Sequence, residues 1–305
     1  MAKSLETSLI KTAHKEEFYD EEQLAEFMKC ADPITGPTYF IENYFYIQHP
    51  TRGQLKYVPY IYQKMLLNNY HNYRFSVNLC GRQMGKTTTS AGYLLWYAMF
   101  VPDSTILVAA HIHSGSQEIM QRIRYAYEAC PDFIRAGATS YNKGSLSFDN
   151  GSRIISATTT ERTGRGLSIT LLYLDELAAV LPTIARAFWT SITPTLSTGG
   201  KAIITSTPNS DEDQFWDIWT GANKTTDEFG NETEIGSNGF KAFKAIWSEH
   251  PDRDEKWGES EKLRLGEALF LREHACVSAK SMLSLQDSSG NIMNMPIGEL
   301  FNNCI

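Results

Sequence analysis

A chain of 305 residues with 42% hydrophobic and 21% charged side chains has room for one large α/β domain and a smaller appendage. No apolar run approaches the roughly 18 residues of a membrane span, and the polar N-terminus reads as neither signal peptide nor anchor. The net charge of −7 argues against a module that grips nucleic acid by phosphate neutralisation alone, and five cysteines in no CxxC pair argue against a disulfide framework or zinc site and for a reducing interior.

In chain order, residues 1–54 read as an N-terminal arm of peripheral helices. Charges of both signs mix with little periodicity up to residue 35, and from Pro37 aromatic residues thicken (Tyr39, Phe40, Tyr44, Phe45, Tyr46). The run YVPYIYQKMLLNNY predicts a strand or loop leading into a helix. Five short apolar or β-branched segments then follow: FSVNL at 75–79, TILVAAH at 105–111, SRIISAT at 152–158, ITLLYLD at 169–175 and KAIITST at 201–207. Each is bounded by Gly, Pro, Asp or Asn, as a buried strand is. Helical patterns alternate with them, over 86–100 and over 116–130, where Ile119, Ile123 and Tyr127 recur at helical spacing. Alternation of this kind predicts a mostly parallel sheet with helices on both faces. The core is expected over 55–239, ending in a polar hairpin or loop at 221–239, and residues 240–275 predict a strand and helices that close it as a small lid.

The segment from Cys80 to Thr88 (CGRQMGKTT) sits between the strand FSVNL and the helix beginning near Lys86. A loop here curls its backbone N–H groups round phosphates and the helix N-terminus adds its dipole. Lys86 reaches the β- and γ-phosphates and the Thr87 hydroxyl binds Mg²⁺, which makes Cys80, Gly81, Arg82, Gln83, Met84, Gly85, Lys86, Thr87 and Thr88 the candidate nucleotide contacts. One position departs from GxxxxGK[ST]: Cys80 stands at the first glycine.

Leu171-Leu172-Tyr173-Leu174-Asp175-Glu176 is an apolar strand ending in two carboxylates. Asp175 is the second candidate for Mg²⁺, and Glu176 is placed to orient and deprotonate an attacking water. The strand at 105–111 fits the P-loop ATPases that insert one between these two motifs. Thr207, in Thr205-Ser206-Thr207-Pro208, would place a hydroxyl beside the γ-phosphate and report its loss. The fold class expected is therefore an α/β P-loop NTPase, ASCE or RecA-like.

Four features together resemble the large terminase subunit of tailed bacteriophages, over roughly residues 55–275. The phosphate loop has the form GRQxGKT, with Arg82 and Gln83 in the family's basic and Gln positions. Tyr60-Ile61-Tyr62-Gln63 resembles an adenine-recognising motif. The order from Phe148-Asp149-Asn150-Gly151-Ser152 through Arg165-Gly166-Leu167-Ser168 to YLDE is the family's. TSTPN with Phe215-Trp216-Asp217-Ile218-Trp219 resembles its coupling motif, and WSEHPDRDEKW the segment after it. The resemblance implies an ATP hydrolase that moves double-stranded DNA into a procapsid, in a ring of copies of itself at a portal protein, with a small terminase subunit. It would work in the host cytoplasm, transiently at the portal, without a membrane and outside the mature virion. It further implies that Gln63 reads the adenine edge or is an ordinary helix glutamine. Arg82 is a γ-phosphate sensor or an acid's loop-stabilising partner, and Arg165 is a catalytic arginine for a neighbouring or its own site, or a surface residue.

Large terminases also carry a nuclease domain with clustered carboxylates holding two metals. The 30 residues after Ala275 are too few for one, so DNA cutting is not expected of this chain. Instead CVSAKSMLSLQDSSGNIMNMPIGELFNN resembles the N-terminal block of an intein, with a leading Cys, a short strand, a D-x-x-G turn and an I-G-E-L segment. On that resemblance residues 276–305 are a β-rich split-intein fragment. Cys276 attacks the carbonyl of Ala275, and a second polypeptide brings the missing splicing residues and the nuclease. Two rivals remain at this stage: a DExx-box helicase or other translocase, and a non-catalytic ATP-binding docking module.

Overall fold

The computed structural model describes residues 9–209, 213–277, 282–286 and 292–296. Two helices open it, α1 (Glu21–Ala31) and α2 (Gly36–Tyr44). Asp20 caps α1 by accepting from Gln23 N, and the Gln23 side chain returns to Asp20 N, a reciprocal box that fixes where the helix starts. A hairpin follows, β1 (Tyr46–His49) and β2 (Gly53–Lys56), so the boundary expected at residue 54 falls inside a strand. Cys30 of α1, Phe40 and Ile41 of α2 and Phe45 just after it belong to the main core, while the rest of α1 lies at the surface.

From there strands and helices alternate. α3 (Ile61–Asn72) leads to β3 (Phe75–Cys80), α4 (Lys86–Phe100), β4 (Thr105–Ala110) and α5 (His113–Ala129). Next come β5 (Ala138–Tyr141), β6 (Ser145–Phe148), β7 (Arg153–Thr158) and β8 (Leu171–Asp175), then α6 (Pro182–Ile192), β9 (Lys201–Ser206), α7 (Gln214–Ala222) and β10 (Lys241–Ala245). Helices α8 (Glu255–Leu265) and α9 (Glu267–Glu273) precede a small antiparallel pair, β11 (Met282–Gln286) and β12 (Ile292–Pro296). The D-x-x-G turn and the I-G-E-L segment of the C-terminal block lie outside the described residues.

One eight-stranded sheet, in the order β10-β3-β9-β8-β4-β7-β6-β5, forms the frame. The strands from β10 to β7 run parallel, while β6 and β5 are antiparallel at one edge. All five expected strands are present. Along the chain β4 lies between the two motifs, as expected; in the sheet the strand between the phosphate-loop strand β3 and the acidic strand β8 is β9, and β4 pairs with the other side of β8. The hairpin β5–β6 was not expected. Its residues (ATSY and SLSF) are half polar, as suits an edge with water on one side.

The pleat sends alternate side chains to opposite faces. Ile106, Val108, Leu171 and Tyr173 meet residues of α2, α3, α4 and α5 on one face, and Leu107, Ala109, Leu172 and Leu174 meet α6 and α7 on the other. Helix α4 is buried on nearly all sides, which accounts for its largely apolar and aromatic sequence from Ala91 onward. Among the described residues no helix is long and apolar enough to cross a membrane.

Truncating a fully buried side chain of α4, Leu94→Ala, is expected to cost about 2–5 kcal/mol of unfolding free energy. Leu263→Ala, at a side chain 88% exposed on α8, should stay within about 0.5 kcal/mol, and urea unfolding of both variants checks the assignment.

Candidate functional site

The loop from Cys80 to Thr87 connects the end of β3 to the start of α4. Gln83 (φ 58°) and Gly85 (φ 75°) both occupy the left-handed region, and two such residues in so short a loop curl successive N–H groups toward one centre. A Cβ on Gly85 would lie 2.5 Å from Gln63 Nε2, so angle and space both require glycine there. The first N–H groups of α4 have no carbonyl one turn back and carry the positive end of the helix, which makes the loop a receptor for anions. Cys80, where the usual pattern has glycine, turns its side chain into the main core beside Tyr70 and Met84, and burial pushes its thiol up to about 12.

With the N–H groups turned inward, the loop's carbonyls face outward and need partners. Met84 O accepts from Tyr62 Oη (2.9 Å) and Gln63 Nε2 (3.1 Å). Arg82 O and Gln83 O accept from the Arg253 guanidinium at 3.3 and 3.0 Å. Two of the loop's own N–H groups are used for anchoring: Gly81 N donates to Ala245 O at 2.9 Å and Arg82 N to Glu273 O at 2.7 Å. The Arg82 side chain pairs with the Glu273 carboxylate, so the contact it makes here is with an acid. Gln63 Oε1 accepts from Tyr60 N at 2.9 Å, so the amide caps α3 with one end and braces the loop with the other.

Across from the loop, β8 and β9 end side by side. Asp175 is 9% exposed and accepts from Thr205 Oγ1 (2.8 Å) and Tyr173 Oη (3.2 Å). Burial, with the Glu176 charge beside it, holds the Asp175 carboxyl above the usual aspartate range despite Lys86. Glu176 follows in a left-handed conformation (φ 53°). Its Oε1 accepts from Lys86 Nζ at 2.5 Å, and its Oε2 from Thr207 N (3.1 Å), Thr207 Oγ1 (3.2 Å) and Ser206 Oγ (3.3 Å). Burial pushes the Glu176 carboxyl up, but the Lys86 charge and these donors outweigh it and hold it below the ordinary glutamate value. Burial likewise pulls Lys86 down, and the two carboxylates together carry it above the ordinary lysine value.

The structure therefore gathers Lys86, Asp175, Glu176 and Thr207 at one point, with Cys80 to Thr88 wrapped round it. Thr88 Oγ1 accepts from Arg122 Nη1 at 3.2 Å. Arg165 stands apart: it is exposed in the loop between β7 and β8, with Nε donating to Ser191 Oγ of α6 at 3.2 Å. Sequence reading missed Arg253, Glu273, Tyr62 and Ser206. Arg253 lies in WSEHPDRDEKW and Glu273 in a helix without a motif, and only the return of the chain onto the loop reveals their contacts with it.

Residues 78–292 match the family model described as terminase large subunit, T4likevirus-type, N-terminal. The chain belongs to this family. Solved structures agree on the fold. The large terminase of HK97 bacteriophage is 17% identical with a TM-score of 0.63, over 83% of this chain and 57% of that one. The ATPase domain of the Thermus phage P74-26 large terminase is 20% identical with a TM-score of 0.54, over 72% of this chain and 94% of that one. The large terminase of the thermophilic bacteriophage D6E, in complex with ADP, is 10% identical with a TM-score of 0.57, over 73% and 55%. The chain thus spans nearly all of an isolated terminase ATPase domain but just over half of two larger terminase chains.

In this terminase the Lys86–Glu176 pair has a measurable signature. Glu176 titrates below its unfolded value of about 4.3, so its stabilising contribution is full above that value and is lost as pH falls through the native pKa. Glu176→Gln should lower unfolding free energy at pH 7 by about 1–2 kcal/mol, less than for a fully buried pair because Glu176 is partly exposed and its repulsion of Asp175 is relieved. Urea unfolding should show the gap closing as pH falls below the ordinary glutamate range.

Proposed function

We propose that this chain hydrolyses ATP and couples the reaction to movement of double-stranded DNA into a procapsid, as the motor half of a packaging terminase. The observation that carries the reading is the Glu176 carboxylate held between Lys86 and Thr207 at the mouth of an anion-receiving loop. Family membership and the complexes of the D6E terminase with ADP and ATP-gamma-S support a nucleotide at this loop.

Lys86 meets the β- and γ-phosphate charge, and the backbone of Cys80 to Thr88 wraps the chain of phosphates. Asp175 fits a role in holding Mg²⁺: it is a buried carboxylate with hydroxyl donors and, among the described residues, no ion pair of its own. No cage of three or more His, Cys, Asp or Glu side chains forms among the described residues, which suits a metal held by one carboxylate, the Thr87 hydroxyl, phosphates and water. Bound there, Mg²⁺ supplies neutralisation of charge on the phosphates. Once phosphate draws Lys86 away, burial raises the Glu176 carboxyl, the direction a base needs to take a proton from water. Thr207, on the other Glu176 oxygen, registers the change at the γ-phosphate. Gln63 serves as a loop brace, Arg82 as the tie to Glu273, and Arg165, exposed at the surface, as the arginine offered to a neighbouring copy in a ring. A portal protein and a small terminase subunit complete the machine, in the host cytoplasm.

Residues 276–305 are in this reading the N-terminal fragment of a split intein: the Cys276 thiol takes the Ala275 acyl group from the 275–276 amide, and that acyl group passes to the polypeptide that brings the nuclease half as residues 276–305 leave. Cys276 is 5% exposed, in the core beside β3, and burial pushes its thiol up to about 12, which supports a chain that is inert alone.

Glu176→Gln should keep Mg·ATP binding and lose turnover by about 10²-fold or more, the scale of general-base loss; hydrolysis at the wild-type rate would assign water activation elsewhere. Mixed with its C-terminal complement, the wild-type chain should lose residues 276–305 and gain the new segment after Ala275, as read by mass spectrometry. Cys276→Ala should give no ligated product while its ATPase activity stays intact.

A further inference from the structure

We propose that Arg253 is a positioning residue of the nucleotide site, the strut by which the C-terminal helices set the shape of the phosphate loop. The inference rests on the ATPase reading above. A phosphate-binding loop works only if its N–H groups point inward, and this one is held in that state by what its carbonyls bond on the outside. Three successive carbonyls, those of Arg82, Gln83 and Met84, are each held by a side chain, and Arg253 holds the first two.

The peptide that needs holding most lies between them. Gln83 is a non-glycine residue at φ 58°, a conformation that costs roughly 1 kcal/mol or more and persists only where the surroundings impose it. Arg253 Nη1 bonds the carbonyl before it and Nη2 its own carbonyl, so the two arms of one guanidinium bracket this residue. A planar fork can do this; a lysine ammonium on its flexible stem cannot fix both directions at once.

Arg253 is itself fixed from the C-terminal side. Its guanidinium carbon lies 4.5 Å from the ring centroid of Trp257, and Trp257 N is bonded by the Asp254 cap that starts α8. Trp257 packs on Trp247 and Phe270, tying α8 and α9 into one aromatic cluster. A shift of these helices therefore reaches the phosphate loop through Arg253, alongside the tie of Glu273 to Arg82.

The test compares Arg253→Lys and Arg253→Ala with the wild-type chain by calorimetric titration of Mg·ATPγS, steady-state hydrolysis and thermal unfolding. Loss of the fork should weaken nucleotide binding about tenfold in both variants, the scale of a charged hydrogen bond. The rise should appear in KM, with kcat at saturating ATP within about threefold of wild type. Arg253→Lys should melt within a few degrees of wild type, which separates positioning from folding. Wild-type affinity in Arg253→Lys would overturn the proposal, as would a loss of affinity that merely tracks a fall in melting temperature. If the wild-type chain itself fails to bind Mg·ATPγS, the ATPase reading falls and the inference with it.

Discussion

Burying an ammonium beside two carboxylates leaves one negative charge in excess, and the Lys86–Glu176 ion pair determines how this site accommodates it. Taking Lys86 out of water costs several kcal/mol unless an opposite charge and further hydrogen bonds offset the loss. Glu176 provides the charge, and Thr207 and Ser206 satisfy its second oxygen. Asp175, the third member, is left with hydroxyl donors alone, and burial with the Glu176 charge beside it holds its carboxyl above the usual range. An arrangement satisfied only in part is one that a polyphosphate with a divalent cation would complete: the anion takes over Lys86 and the cation takes over Asp175.

The sheet makes this possible through order rather than proximity in sequence. Because β9 lies between β3 and β8, the hydroxyl-bearing end of β9 reaches Glu176 from one side while the loop after β3 brings Lys86 from the other. Registers that pair Leu79 with Ser206 and Asp175 with Thr205 bring the three strand ends to the same level. The C-terminal helices supply Glu273 and Arg253 to the back of the loop, so segments separated by some hundred to two hundred residues share one small volume.

Much of this was legible in the chain because the relevant physics is local. Buried parallel strands must be apolar runs, so FSVNL, TILVAA, LLYLD and KAIITS announced themselves, and a glycine-lysine-threonine at a strand-to-helix switch has few other uses. The hairpin β5–β6 escaped because an edge strand half open to water needs no apolar run, and β1–β2 because its exposed residues lack a clean alternation. The order of strands in the sheet was not legible: β4 and β9 both flank β8, and only the crossover sets β9 rather than β4 beside β3. Gln63 stood in a recognisable motif and an acid was one of two partners open to Arg82, but which acid, and the place of Arg253 at the loop, were not legible: whether a guanidinium meets a phosphate or Glu273 depends on where the chain returns, and no local pattern records that.

The most direct test of Lys86 as the phosphate partner is the shift in unfolding stability produced by Mg·ATPγS. A ligand that binds only the folded chain adds about 2.7 kcal/mol at one hundred times its dissociation constant. The wild-type chain should gain stability in proportion to the logarithm of Mg·ATPγS concentration, and Lys86→Met should gain none over the same range. Equal stabilisation of both chains, or none of the wild type, would contradict the account.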